Sequence, residues 1–381
     1  MQLANDELSD SPTVHDYRIG EGGLLRRIEL AAHLTRLHWQ LLVLLCLTWV
    51  PLVLLGLSTG NLDALVRDPA VHVRLLLVAP MLLVLDHMFP PLCAYTLTQL
   101  QAHAFVPQAD RPRLDRLLRS AGRWADAALP EGLLALLALA AGVAALQGFV
   151  SLRGLARGSA LAADRLWYAL TDLPLFQFLL WRSIWRWLIW VRILIGLSRI
   201  PLDLVYCHPD RCGGIRFLSL PSMVYCAMLV FAISSVLCAE LETRQTLGAT
   251  LESFSPLLVL FALVGTLIAF GPLLAFAPQL YRARKRGLLE LDGYASRCGR
   301  RLRAALLDPN GSEGRETIQV MANTEQTYRE TVTQLSVFLF QRKDLIVLLA
   351  AALLPLIPTI LRQVPREDWW ALGALLTGWK P

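Results

Sequence analysis

Five ionisable residues of this 381-residue sequence sit well inside long apolar runs, away from their ends, where charge is most expensive. Asp86 and His87 fall within a run from about His72 to Leu97. Arg182, Arg186 and Arg192 fall within Leu175 to Leu197, among Trp181, Trp185, Trp187 and Trp190. Ionisable groups at membrane depth are functional candidates by default. Arginines lining a polar pathway would favour anions, and Asp86 with His87 would relay protons. At 1.5 Å per residue, Asp86 lies about 7 Å and Arg192 about 9 Å inward of the centres of their runs. Matching depth predicts an Asp86–Arg192 pair, or Asp86–Arg186 if the centres shift. The competing expectation is structural: a buried Asp–Arg pair that only fixes helix registration, with Arg182 snorkelling to the surface. Arginine spacings of four and six do not give the every-third pattern of a voltage sensor.

A second group is Tyr206-Cys207-His208-Pro209-Asp210-Arg211-Cys212-Gly213-Gly214-Ile215-Arg216. Cys207, His208, Asp210 and Cys212 are all metal-ligand types, but a zinc site usually takes two separated pairs and this is one cluster. No metal is expected. His208 with Asp210 would serve as an acid–base pair on a membrane-surface substrate, yet no nucleophile motif or phosphate loop accompanies it. The favoured expectation is a rigid elbow coupling membrane helices to cytoplasmic ones. Pro209 stiffens the turn, Gly213 and Gly214 permit positive φ or close approach, and Asp210 caps the turn or pairs with Arg211 or Arg216.

The elements that must position these residues follow from composition. Apolar types make up 55% of the chain and charged residues 17%, against about 25% charged in a soluble domain; mean hydropathy is +0.49. That excludes both a water-soluble globule and a disordered chain. Apolar runs lie at Trp39–Leu57, His72–Leu97, Leu133–Val150, Leu175–Leu197, Met223–Ala239, Leu257–Phe276 and, more weakly, Leu345–Leu361, the last holding Pro355 and Pro358. Each is close to the roughly 20 residues needed to cross a bilayer as a helix. The expected fold is all-α: an integral membrane bundle of six or seven spans with a cytoplasmic helical segment. Its parts are a polar segment 1–38, a six-span bundle 39–279, a helical segment 280–343, and a last apolar segment and tail 344–381. The polar start lacks a cleavable signal peptide, and Trp369, Trp370 and Trp379 suit an interfacial anchor.

With the N-terminus inside, inner segments hold 24 Lys and Arg and outer loops 6, which sets the orientation. It also accounts for the net charge of +6 without nucleic acid. The inner loop 98–130 carries Arg111, Arg113, Arg116, Arg119 and Arg123 opposite Leu114, Leu117 and Leu118. That is an amphipathic helix suited to an anionic inner leaflet, or simply a topology signal with a solvated face. Segment 280–343 is broken at Gly311–Gly314 and predicts a helical hairpin. Gly271-Pro272 predicts a kink in the sixth run, by packing or as a hinge. None of the seven cysteines falls in an outer loop, which suits a reducing cytoplasm. The Leu, Ala and Arg bias points to a bacterial inner membrane.

His208-Pro-Asp-Arg-Cys-Gly-Gly-Ile-Arg-Phe-Leu218 resembles the HPDRxGG loop of a group of uncharacterised bacterial multi-pass membrane proteins. The Arg74–Pro80–Asp86 stretch and the proline-containing C-terminal segment are similar to theirs. The resemblance implies an architecture and no activity. Walker, Rossmann, HExxH and GxSxG patterns are absent, so no cofactor is expected. The leading functional expectation, motivated by the intramembrane Asp and Arg residues, is a channel-like or transport protein assembled as a homo-oligomer. The alternative is a non-transporting sensor, scaffold or effector acting through the elbow, and the third is a membrane-surface enzyme.

Overall fold

The computed structural model describes residues 36–60, 62–153, 163–206, 208–245, 251–307 and 332–363, with Gly22, Arg27, Ala31, Gln326, Arg329 and Glu330. The 311–314 break, the C-terminal tryptophans and Cys207 lie outside the described residues. Among the described residues every regular element is a helix. Helix α1 is Leu37–Thr59 and α2 is Leu62–Val66. Helix α3 is Pro69–Ala102 and contains a π turn, Val73–Val78. Helices α4, Arg111–Ala125, and α5, Ala128–Arg153, follow. Helix α6, Ala163–Trp167, leads through a second π turn, Tyr168–Asp172, into α7, Leu173–Leu197. The rest are α8 (Ser219–Gln245), α9 (Leu251–Leu274), α10 (Ala277–Leu307), α11 (Arg342–Leu353) and α12 (Leu356–Gln363).

Four helical stretches are long and apolar enough to cross a membrane: Leu37–Thr59, Pro69–Ala102, Gln108–Leu146 and Arg216–Thr243. A fifth is added if the pair Val259–Leu274 and Ala277–Arg301, bent by 48°, counts as one broken span. The bend falls just after Gly271-Pro272, at the expected kink. The outward faces have the composition lipid requires. On α1 only Gln40, Leu44, Thr48, Leu52 and Gly56 are buried, a single stripe at spacing four, while Leu42, Leu47 and Leu54 are exposed.

The expected fourth run is helical but is not among the four apolar stretches. As α7 it turns a long face to its neighbours, with Arg182, Arg186, Trp187 and Trp190 all buried, while Trp181, Leu188, Arg192 and Ile195 on its other side are exposed. The expected seventh run is two helices of 12 and 8 residues, each short of a crossing. They meet at Pro355 and pack on α8, where the Ser234 hydroxyl donates to the Ala352 carbonyl.

Helix α4 is the expected amphipathic helix, and its apolar face has a protein partner. It runs antiparallel along α7, continuing the line of α5. Leu117 packs on Gly196, Arg192 reaches Ser120 at 3.1 Å, and Trp124 pairs with Trp185 at 5.8 Å between ring centroids. Leu114, Leu118, Ala121 and Ala125 are buried, so the apolar face serves the bundle. Arg111, Arg113, Arg116, Arg119 and Arg123 are exposed.

The two π turns share one cause. Each is followed, after one residue, by a proline: Pro80 and Pro174. Proline offers no N–H and crowds the preceding turn. The helix widens, and the residue before each proline donates five positions back, Ala79 to the Arg74 carbonyl and Leu173 to the Tyr168 carbonyl.

Candidate functional site

The middle of the bundle holds a cluster of two cations and two carboxylates. Arg182 Nε donates to Asp86 Oδ1 at 2.9 Å, and its other arm bonds Glu131. Arg186 Nε lies 2.9 Å from the same Asp86 oxygen and also donates to the Asp86 backbone carbonyl. All four side chains are at most 10% exposed. A buried ion is tolerated only when paired and hydrogen-bonded, and here formal charge sums to zero. The surroundings are aromatic. Arg186 sits 5.7 Å from the Phe89 ring centroid, and Tyr225 packs edge-on to Phe89 while donating to the Ser183 carbonyl at 3.1 Å. Trp190 Nε1 is held by Ser222 at 3.1 Å.

A second polar layer lies where the π turns meet. Arg74, in the first, donates to the Tyr168 hydroxyl, in the second, at 2.6 Å, and pairs with Glu240 of α8 at 2.9 Å. Asp68 accepts from Ala70 N and from Thr243 of α8. Arg74 and Asp86 are twelve positions apart on α3, about 18 Å at helical rise. Between the layers the bundle is mostly apolar: Leu75, Val78, Ala79, Leu82, Phe176, Phe178 and Leu179 are all buried, with Gln177 on α7 and the buried Ser234 and Ser235 on α8 as the polar exceptions.

The elbow after α7 is built on Asp210. One carboxylate oxygen accepts from Cys212 N at 2.9 Å and Gly214 N at 3.0 Å, the other from Arg216 N at 3.1 Å. His208 Nδ1 lies 2.9 Å from the same Oδ1. Arg211 (φ 58), Gly213 (φ 68) and Gly214 (φ 90) are all left-handed. A Cβ on Gly214 would sit 2.6 Å from Phe105, so this glycine lets the elbow close on the end of α3. The Arg211 carbonyl accepts from Ser336 N at 2.7 Å, Cys212 Sγ contacts the Phe338 carbonyl, and Arg216 faces Asp344 at 3.8 Å. Tyr206 donates to Glu290 of α10. Gln279 of α10 donates to the carbonyls of Ser198 and Ile200. Burial, with Asp210 adding to it, pushes the Cys212 thiol up to about 11.

No known protein family, curated protein or solved structure matches this chain. Asp86 pairs with Arg186, the second of the two expected partners, and not with Arg192. Arg192 is exposed and reaches back to α4, lying over the Trp124 ring at 5.5 Å as well as bonding Ser120. Arg182 does not snorkel; it is the most enclosed member of the cluster. His87 is exposed, since consecutive helical residues diverge by about 100°, so it does not share a relay with Asp86.

Glu131 was not among the expected residues. Its Pro130-Glu131 context reads as an ordinary acidic first turn of a helix, which hides a partner 51 positions away. Arg74, Tyr168 and Glu240 were missed likewise, the first and last being near the ends of apolar runs. In the elbow, Asp210 caps the turn as expected, while the Arg211 and Arg216 side chains do not pair with it. An Asp210 that already accepts three backbone N–H groups is fixed as a structural acceptor, which argues against it as a mobile base. Among the described residues no three His, Cys, Asp or Glu side chains converge as metal ligands.

Proposed function

We propose that this chain is a multi-pass membrane protein that acts without conducting solute through its own bundle. The ion-pair cluster locks the helices, and the elbow with α10 and the 332–344 segment forms the working surface for a partner. On this reading α7 and the α9–α10 bend also cross, giving six spans with a cytoplasmic N-terminus in a bacterial inner membrane. The arginine face of α4 would then look toward anionic lipid headgroups.

The observation that carries this reading is the tightly packed, mostly apolar layer separating the two polar layers, in which Ser234 bonds the Ala352 carbonyl and Ser235 its own helix. A conducting path needs continuous polar or wet surface. Here Val78, Leu82 and Leu179, at 0–3% exposure, fill the space between Arg74 and Asp86. The elbow adds to it, because one short loop packs on Phe105 just beyond α3 and bonds to α10 and the 332–344 segment at once. The test is flux from proteoliposomes loaded with chloride- and pH-sensitive dyes. Leakage equal to that of protein-free vesicles is expected, and unchanged in Asp86→Asn. Flux that Asp86→Asn abolishes would replace this reading with the channel or transport one.

A further inference from the structure

The second π turn contains a group the ion-pair lock does not use. Asp172 is fully buried, and neither of its carboxylate oxygens has a hydrogen-bond partner. Beside it the backbone is also short of a donor. The Leu173 N–H is spent on the Tyr168 carbonyl and Pro174 has no N–H, so the buried Ala169 carbonyl has no helical donor at either the four- or five-residue step. That carbonyl faces Gly142 of α5, where an added Cβ would also lie 2.6 Å from Pro174. Only glycine allows α5 this close, and the closeness excludes water.

The ionisable groups at this end of the bundle are Asp164, Arg165 and Tyr168 on the same stretch, Asp63 on α2 and the exposed Arg67 just after it, Asp68 at the cap of α3, His72 and Arg74 on α3, and Glu240 and Glu242 on α8. Helix α5 offers none between Leu133 and Leu146, and α1 none between Leu47 and Thr59. Arg74 is committed to Tyr168 and Glu240, and His72 accepts from Trp49 Nε1 at 3.5 Å. An ionised carboxylate with no donor and no cation would be very costly in this setting, whereas the neutral acid is not.

We propose that Asp172 is a proton-binding site, neutral in the packed bundle, whose ionisation loosens the junction where the two π turns meet. The proton is the occupant because no three carboxylate, histidine or cysteine ligands converge among the described residues. π turns recur at functional positions, and this one is joined by the Arg74–Tyr168 bond to its counterpart in α3. Burial without a donor or a cation favours the neutral acid over the carboxylate. A buried neutral acid contributes its full stability at acid pH, and that contribution is lost as pH rises far enough to ionise it. The proposal supplies a stimulus for the non-conducting reading above, but it is decided by titration and not by flux.

The test is thermal unfolding of the full chain in nanodiscs between about pH 6 and about pH 9. The wild type should lose several degrees across that range. Asp172→Asn, a permanently neutral mimic, should be flat and at least as stable as wild type at the alkaline end. His72→Gln should keep the wild-type slope. Infrared difference spectra of the wild type should show a protonated-carboxyl band that disappears over the same range, and this readout stands even if the Asn variant fails to fold. Replacing sodium by a bulky organic cation should change nothing. A pH slope that survives in Asp172→Asn, a missing carboxyl band, or stability restored by sodium at alkaline pH would each overturn the assignment.

Discussion

Glu131 offers the sharpest test of the ion-pair lock. The cluster is balanced: Arg182 and Arg186 against Asp86 and Glu131, all nearly fully enclosed. Glu131→Gln leaves the same enclosure with one uncompensated positive charge, and Arg182→Met leaves one uncompensated negative charge. Breaking a buried pair from one side costs about 3–5 kcal/mol. The double variant Glu131→Gln/Arg182→Met removes one charge of each sign. It leaves Asp86 and Arg186 as a neutral pair with their 2.9 Å contact intact. Replacing a buried pair by groups of similar volume is often close to neutral, so the double variant should be more stable than either single one. The expected coupling is then at least the cost of one single variant, about 3–5 kcal/mol, at or above the upper end of what contacting residues usually show. The assay is reversible denaturant unfolding in mixed micelles followed by tryptophan emission, for which Trp185, Trp187 and Trp190 beside the cluster are natural reporters. Additive single effects, with coupling below about 0.5 kcal/mol, would refute the charge-balance argument.

Arg192→Ala should cost no more than about 1 kcal/mol in the same assay, because its partners are a hydroxyl and a ring face at an exposed site. A loss as large as that of Arg182→Met would restore the Asp86–Arg192 expectation. Gly214→Ala should cost about 1–3 kcal/mol for a side chain at φ 90, with the Phe105 clash in addition. Arg211→Gly should gain about 0.5–1 kcal/mol by relieving φ 58; denaturation midpoints report both. In a variant keeping Cys212 as its sole cysteine, a maleimide should leave the folded protein unmodified near neutral pH and label it once unfolded. The buried thiol carries almost no thiolate while its value stands near 11, so fast labelling of the folded state would contradict the elbow geometry.

The sequence made one half of the central pair legible and hid the other. Helical rise alone brings Asp86 level with Arg186, because α3 and α7 lie side by side for most of their lengths. The same arithmetic misplaced Arg192 because the end of α7 continues past the apolar layer, into register with α4. Nothing in periodicity announces Glu131, since its contact with Arg182 is set by how α5 leans on α7. The elbow was more transparent. A Pro-Asp followed by two glycines is local turn chemistry, and Asp210 caps its own neighbours two, four and six residues on. The π turns were written in Pro80 and Pro174, but a proline inside an apolar run signals only a break. Which way the helix accommodates it depends on the neighbours that close around it.

Two polar layers on the same helices constrain motion more than either would alone. Sliding α3 against α7 by one turn, 5.4 Å, would separate Arg74 from Tyr168 and Asp86 from both arginines together. Intermediate registers leave charges buried without partners, so the bundle resists gradual shear. Change at one end is then carried by α7 as a rod. It begins at the Asp172 π turn and ends at Ser198, whose carbonyl accepts from Gln279 of α10, and its 25 residues span about 37 Å. The weak point of that rod is its start, where a donor-poor turn surrounds an unpaired acid. The strong point is its middle, held by four charges. On the Asp172 proposal, ionisation there would tilt α7 about the ion-pair cluster more readily than translate it, and the Gln279 bonds to Ser198 and Ile200 would pass that tilt to α10.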